Sequence, residues 1–285
     1  MYLNLNGKII KKEEAMISPF DHGFLYGAGV FETFRVYGNH CFLLDDHLER
    51  LNKGLEALNI ERQFTRCEAE AMVQSLLEAN RYKDAYIRFN VSAGIGEIGL
   101  RSAPYTQPTI IVFSKPLSRI DGTQEKEATI LLLNRNTPEG RERLKSHHYL
   151  NNLFAWRELG GLPGNEGVFL TKEGFLAEGI VSNLFWVKGT TLYTPSLQTG
   201  ILNGITRTFV IELAKKHGLA VEEGLYYPEE AHSADEIFLT NSIQELTAVS
   251  RFADRELPGS KGKIVKLLHG DYQTYSSYLY SRMNL

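Results

Sequence analysis

The stretch RNTPEGRERLKSHHYLNN, residues 135–152, places Lys145 in a region rich in asparagine and cationic side chains, not on a plainly solvated helix face. A half-buried lysine beside other cations loses preference for its ammonium form, and the neutral amine is the form that attacks a carbonyl. An ordinary surface lysine is the alternative. In AEGIVSNLFW, Glu178 lies inside an otherwise apolar run, where a carboxylate is costly unless a cation or several donors meet it. It is either a salt-bridged core glutamate or a carboxylate held against a protonated heteroaromatic nitrogen, with Ser182 and Asn183 beside it. Gly204-Ile205-Thr206 offers backbone N–H groups and a hydroxyl at a helix start, a natural seat for an anion. Thr240-Asn241-Ser242, directly after a strand, could add donors, and Arg50 a bidentate positive group. Helix capping, turn formation and a surface ion pair are the structural alternatives for these three.

Other candidates carry less. Gly94, Gly96 and Gly99 spell a dinucleotide pattern after a strand, but LRSAPYTQP cannot be the helix whose N-terminus would hold a pyrophosphate, so a glycine-rich loop is expected. Asp45, Asp46, His47 and Glu49 look like metal ligands yet fall at a helix start, where acidic residues are favoured anyway. His147 and His148 are adjacent, so their rings diverge, and no HExxH spacing is present. No metal site is expected, and neither a G-x-S-x-G elbow nor a P-loop occurs.

The chain that must position these groups has 285 residues, 43% apolar and 23% charged, enough for two α/β domains. Its net charge of −3 gives no footprint for a nucleic-acid backbone or an anionic membrane, which favours a small-molecule substrate. Cys41 and Cys67 are too few and too far apart for a disulfide framework. The opening MYLNLNGKIIKKEE lacks the apolar core of a signal peptide and no run approaches a membrane span, so a cytoplasmic protein is expected.

Asn6-Gly7 between alternating runs predicts an opening hairpin. DDHLERLNKGLEALNI predicts a helix with an aspartate as N-cap, Leu48, Leu51, Leu55 and Leu58 as its apolar stripe, and Arg50 on the flank. A second helix is predicted from Glu68 to about Asn80. Residues 85–93 alternate as a strand, with Ala85, Ile87, Phe89 and Val91 on one face and Tyr86, Arg88, Asn90 and Ser92 on the other. A polar stretch after Pro116 marks a boundary, giving domains over 1–118 and 126–285 joined by a linker at 119–125. The second should begin as mostly antiparallel sheet, with strands at ATILLLN, GVFLT, FLAEGIVSNLFWV and TLYTP. A helix from Gly204-Ile205-Thr206 to Gly218, a strand at EIFLTN and a tyrosine-rich helix follow.

Taken in order, SPFDHGFLYGAGVFETFRVY, the DDHLERL helix, RLKSHHYLNN, AEGIVSNLFW, GILNGITR and EIFLTNSIQEL resemble the fold-type IV pyridoxal-phosphate enzymes. That family holds branched-chain and D-amino-acid aminotransferases and aminodeoxychorismate lyase. The resemblance runs from Asn6 to about Val249. It implies an α/β (α+β) chain with a small N-terminal α/β sandwich, a larger C-terminal pseudo-barrel, pyridoxal 5'-phosphate between them, and a homodimer. It also implies that Lys145 is the Schiff-base lysine, that Glu178 partners the pyridine nitrogen, and that Arg50, Ile205, Thr206, Asn241 and Ser242 form the phosphate cup. Tyr149 is similar to the tyrosine near the cofactor's phenolic oxygen, though at a different spacing from the lysine. Phe31 and Glu32 match a stretch bordering the substrate pocket. Within the family, RNTPEGRERLKSHHYLNN and FDHGFLYGAGVFETFRVY are most similar to Gram-positive aminodeoxychorismate lyases. The GNYLNS run of branched-chain enzymes is absent. So is the Pro-Arg-Asn-His loop of D-amino-acid enzymes, replaced by GIGEIGLRS, which leaves Arg88 or Arg101 to receive a substrate carboxylate. The implied reaction gives 4-aminobenzoate and pyruvate for folate synthesis, with a D-amino-acid or branched-chain aminotransferase as the alternative.

Overall fold

In the computed structural model, which describes residues 1–162 and 164–285, Asn6 and Gly7 take φ of 50° and 83° and turn β1 (Tyr2–Leu5) back into β2 (Lys8–Lys11). These strands open an antiparallel six-stranded sheet ordered β2-β1-β6-β5-β3-β4, with β3 at Gly29–Tyr37, β4 at His40–Cys41, β5 at Ala85–Ser92 and β6 at Thr109–Pro116. The short helix α1 (His22–Tyr26) precedes β3. Helices α2 (Leu44–Ala57) and α3 (Arg66–Asn80) bury Leu48, Leu51, Leu55, Val73, Leu76 and Leu77 against Val30, Phe34, Ile87, Phe89 and Val91. One face of the sheet is thus covered by helices, and the alternation in β5 falls as expected.

The start of α2 differs from the expectation. Its N-cap is Leu43, at φ 52° and without a side-chain cap, and Asp45 and Asp46 lie in the first turn. There their charge still suits the helix dipole, while their carboxylates pair with Arg66 and Arg282.

A second unit holds β7 (Gln124–Ile130), α4 (Leu150–Glu158), β8 (Asn165–Leu170), β9 (Leu176–Gly179), β10 (Asn183–Lys188), β11 (Thr191–Pro195) and α5 (Ile205–Lys216). It continues with β12 (Ala220–Gly224), α6 (Pro228–His232), β13 (Glu236–Asn241), β14 (Glu245–Phe252), β15 (Arg255–Glu256) and α7 (Lys263–Tyr275). Its nine-stranded sheet runs β12-β11-β10-β13-β14-β7-β8-β9, with β15 on β14. Most of its pairings are antiparallel, as expected, namely β8 with β9, β10 with β11 and β13, and β14 with β13 and β15, but parallel pairs are mixed in. β7 pairs parallel with both β8 and β14, and β11 with β12. The physical reason is the crossover: α4 connects β7 to β8 and α5 connects β11 to β12, and parallel neighbours need such a connection. The Leu176 N–H donates to the Tyr226 carbonyl at 2.7 Å, tying β9 to the chain beyond β12 and curling the sheet into a barrel-like form.

Two predicted strands are also redrawn. The ladder over ATILLLN begins earlier, at Gln124, and ends at Ile130, because the Leu132 and Leu133 N–H groups turn away to the Glu158 carboxylate. FLAEGIVSNLFWV divides at residues 180–182 into β9 and β10.

The two units are not contiguous in sequence. The first comprises Met1–Arg119, Leu144–His148 and Ser276–Asn284; the second comprises Ile120–Arg143, Tyr149–Tyr275 and Leu285. Backbone bonds explain the return of 144–148 to the first unit. The Phe31 N–H donates to the Lys145 carbonyl at 2.9 Å and the His147 N–H to the Gly29 carbonyl at 3.0 Å, so residues 145–147 add a short antiparallel segment along β3. Among the described residues, no helix is long and apolar enough to cross a membrane.

Candidate active site

β3 organises the residues of the first unit. Its pairing with β5 sets Phe31 opposite Asn90 and Glu32 opposite Phe89, so Phe31 lies on the polar face of β5 and Glu32 on the helix-covered face. Lys145 Nζ lies 4.8 Å from the centre of the buried Phe31 ring, and the Arg88 guanidinium carbon 3.6 Å from it. The structure therefore brings together Lys145, Phe31 and Arg88. Arg101 is held elsewhere: its Nε and Nη2 donate to the Ala103 and Pro104 carbonyls of its own loop.

His147 joins this group, although its adjacency to His148 in the sequence suggests only a weak metal signal. In an extended segment it shares a side with Lys145, two residues earlier. Its ring lies over Gly29, where a Cβ would come within 2.3 Å of Cε1, so only glycine admits the ring there. Burial first, then the nearby Arg88 charge, pushes its pKa down to about 4, and a neutral imidazole faces Phe31 at 6.4 Å between ring centres. The i, i+2 spacing from the lysine was the available signal.

Glu32 points toward the helix-covered face of the sheet. It is 1% exposed, and its carboxylate accepts Arg50 Nε at 2.8 Å and Nη2 at 2.7 Å in a bidentate pair, with His47 Nδ1 at 2.6 Å from Oε2. Burial opposes its charge, but the Arg50 charge and hydrogen bonds, with those of His47, outweigh it and hold the carboxyl at about 2. Burial pushes the His47 pKa down despite Glu32, so a neutral imidazole donates through Nδ1. The predicted phosphate arginine is thus already gripped along one edge.

In the second unit Glu178, on β9 and 4% exposed, accepts Arg135 Nε at 2.8 Å and the Leu202 N–H at 3.0 Å, with Asn183 Nδ2 at 3.4 Å and Arg143 Nε 3.8 Å away. Arg135 also donates through Nη1 to Asn151 on α4 at 2.7 Å, so it links β9 to the helix that follows the lysine segment. Burial, then Arg135, lowers the Arg143 pKa to about 10. The sequence reading missed both arginines, although both stand in RNTPEGRER. Tyr149 is the N-cap residue of α4 and is 37% exposed.

The N-terminus of α5 fits an anion. Its N-cap Gly204 provides no side-chain cap, Ile205 and Thr206 are buried, and a Cβ at Gly204 would sit 2.0 Å from Asn183 Oδ1. Thr206 Oγ1 lies 3.3 Å from Ser242 Oγ, and the buried Thr240 hydroxyl has no hydrogen-bond partner among the described residues. Asn241 instead builds the loop: its Oδ1 accepts the Ile243 and Gln244 N–H groups at 2.9 and 2.7 Å. Glu245 ends that loop at φ 61°, its buried carboxylate 2.8 Å from His269 Nε2.

A model of the amino-transferase class IV family matches residues 29–252, spanning β3, the Lys145 segment, Glu178, the α5 N-terminus and β14. The chain belongs to this family. Among class IV relatives, the aminodeoxychorismate lyase of Bacillus subtilis (strain 168) is 47% identical over 266 residues, covering 93% of this chain and 91% of that protein. A putative branched-chain-amino-acid aminotransferase of Methanocaldococcus jannaschii is 35% identical, covering 94% of each. The class IV, fold-type IV architecture is equally plain in three dimensions. The branched-chain aminotransferase of Thermoproteus uzoniensis with norvaline superimposes with a TM-score of 0.87 at 28% identity, covering 98% and 96% of the two chains. A T.th. branched-chain amino acid aminotransferase complexed with N-(5'-phosphopyridoxyl)-L-glutamate gives 0.87 at 26% identity, with 97% and 94% covered.

Proposed function

We propose that this chain is a pyridoxal-phosphate-dependent lyase that converts 4-amino-4-deoxychorismate to 4-aminobenzoate and pyruvate. The observation that carries the reading is the 47% identity to the B. subtilis aminodeoxychorismate lyase across nearly both lengths. The residues fit the family's cofactor: an amine at Lys145, an anion seat at Ile205, Thr206 and Ser242, a buried carboxylate at Glu178, and Arg50. When bound, the cofactor supplies an electron sink for a carbanion.

The chain's own groups then have separate tasks. Glu178, fixed by Arg135 and the Leu202 N–H, would accept a hydrogen bond from the protonated ring nitrogen of the bound cofactor. Thr206, Ser242 and the N–H groups of α5 hold the phosphate, and Arg50 adds its charge. Arg88, beside Phe31 and Lys145, receives a substrate carboxylate. Lys145 Nζ takes the proton from the ring carbon that bears the substrate amine. Expulsion of the enolpyruvyl ether then leaves a benzene ring, and aromatisation makes the step effectively irreversible. The resulting Lys145 ammonium would protonate the methylene carbon of the departing enolpyruvate, so one side chain serves as base and then acid.

The reading includes a cytoplasmic homodimer, and two surfaces support the dimer. In the first unit Phe20, Phe24, Leu25 and Tyr26 lie exposed around α1; in the second, Leu150, Leu153 and Phe154 lie exposed on α4. Apolar groups gathered this way mark contact surfaces.

The aminotransferase reading rests on the 35% identical relative and on the structural neighbours. Stoichiometry separates the two. The lyase yields equal amounts of 4-aminobenzoate and pyruvate, catalytically, with no amino acceptor present. Formation of no 4-aminobenzoate, with rapid amino exchange between D-alanine or a branched-chain amino acid and 2-oxoglutarate, would overturn the lyase.

A further inference from the structure

We propose that Glu32 is a positioning residue for cofactor retention: with His47 behind it, it sets the plane of the Arg50 guanidinium so that the arginine's other edge meets the cofactor phosphate. The inference rests on the proposed role of Arg50. It goes beyond that role in assigning two buried residues that touch neither cofactor nor substrate.

The geometry is specific. Nε and Nη2 form one edge of a guanidinium, and both donate to Glu32, at 2.8 and 2.7 Å. A carboxylate on that edge fixes the plane of the fork, and a phosphate must then be met by the Nη1–Nη2 edge. Glu32 is itself held. It extends from β3, is 1% exposed, and its Oε2 takes a third bond from His47 at 2.6 Å, with His47 one turn before Arg50 on α2. Arg50 keeps 18% of its side chain exposed while Glu32 and His47 keep 2% each, so the pair is buried at its anionic end and reaches solvent at its cationic end. A core ion pair with no further task would gain nothing from this asymmetry. A flexible arginine at the rim, by contrast, would lose much of its grip to rotamer entropy unless held from behind.

The test compares pyridoxal 5'-phosphate with pyridoxal, which lacks the phosphate, as ligands of the apo form of the full chain. In Glu32→Gln the dissociation constant for pyridoxal 5'-phosphate should rise about 10- to 100-fold, the usual effect of losing a charge-assisted contact, while that for pyridoxal stays within about twofold. Arg50→Met should abolish the preference for the phosphorylated form, and Glu32→Gln added to Arg50→Met should change nothing further. Equal weakening of both ligands in Glu32→Gln, or additivity in the double variant, overturns the positioning role. If Arg50→Met leaves the preference intact, the assignment of Arg50 to the phosphate fails first and takes this inference with it. If Glu32→Gln does not fold, His47→Phe, which keeps the ring against Phe34 and removes the donor to Oε2, decides in its place. A several-fold loss confined to the phosphorylated ligand supports the proposal, and a loss shared by both ligands or by neither overturns it.

Discussion

Replacing Glu178 by glutamine tests whether this buried carboxylate of the second unit serves chemistry or only packing. Its oxygens accept Arg135 Nε at 2.8 Å and the Leu202 N–H at 3.0 Å, and lie 3.4 Å from Asn183 Nδ2 and 3.8 Å from Arg143 Nε. Glutamine keeps the shape and one acceptor. Its amide nitrogen, however, would confront donors, and two mostly buried arginines would lose their anion. Breaking a buried pair costs about 3–5 kcal/mol, and the retained acceptor brings the expected loss to about 2–3 kcal/mol. In a unit of this size that lowers the apo melting temperature by roughly 5–10 °C. A purely structural carboxylate predicts this shift and nothing else. The catalytic reading adds that the cofactor-loaded variant, assayed below its melting range with aminodeoxychorismate, turns over about 100-fold or more slowly, since the charge opposite the ring nitrogen is gone. The assay pairs thermal melts of the apo form with single-turnover rates of the loaded form. A lowered melt with turnover within about twofold of the parent refutes the functional role and leaves Glu178 a core ion-pair member.

Borohydride reduction of the loaded protein should fix the cofactor on Lys145, and Lys145→Ala should bind it non-covalently and lose several orders of magnitude in rate; peptide mapping that finds the adduct on another lysine refutes the assignment. Thr206→Val should release cofactor on dialysis while slowing the enzyme that stays loaded much less, because the hydroxyl anchors and breaks no bond; full retention would move the phosphate seat elsewhere. Acid sensitivity should follow Glu32. Its pKa is about 2 in the folded chain against an ordinary 4.5, so its contribution is whole above pH 4.5 and lost as pH falls toward 2, a span of roughly 3 kcal/mol. The urea midpoint should therefore fall further between about pH 6 and about pH 3 in the parent than in Glu32→Gln, and equal falls in the two would contradict the pairing.

Local chemistry was legible in the sequence wherever a residue's role depends on its neighbours in the chain. The Asn6-Gly7 turn, the stripes of α2 and α3, the alternation of β5 and the uncapped start of α5 after Gly204 all follow from short-range rules of φ, period and capping. So does the suspicion that Glu178 needs cations. Which cations, Arg135 and Arg143, only the fold decided, because they stand 43 and 35 residues earlier and reach it through the sheet. The parallel pairs of the second sheet escaped the sequence for the same reason: strand direction is set by where a crossover helix lands, not by the strand's own residues. The return of residues 144–148 to β3 is likewise a long-range choice, made by two backbone hydrogen bonds and by a glycine at position 29 that admits the His147 ring. Arg50 shows the division most plainly. Its spacing on α2 marked it as a flanking cation, but only the pairing of β3 with β5, which turns Glu32 toward the helices, placed a buried carboxylate where it could hold that cation still.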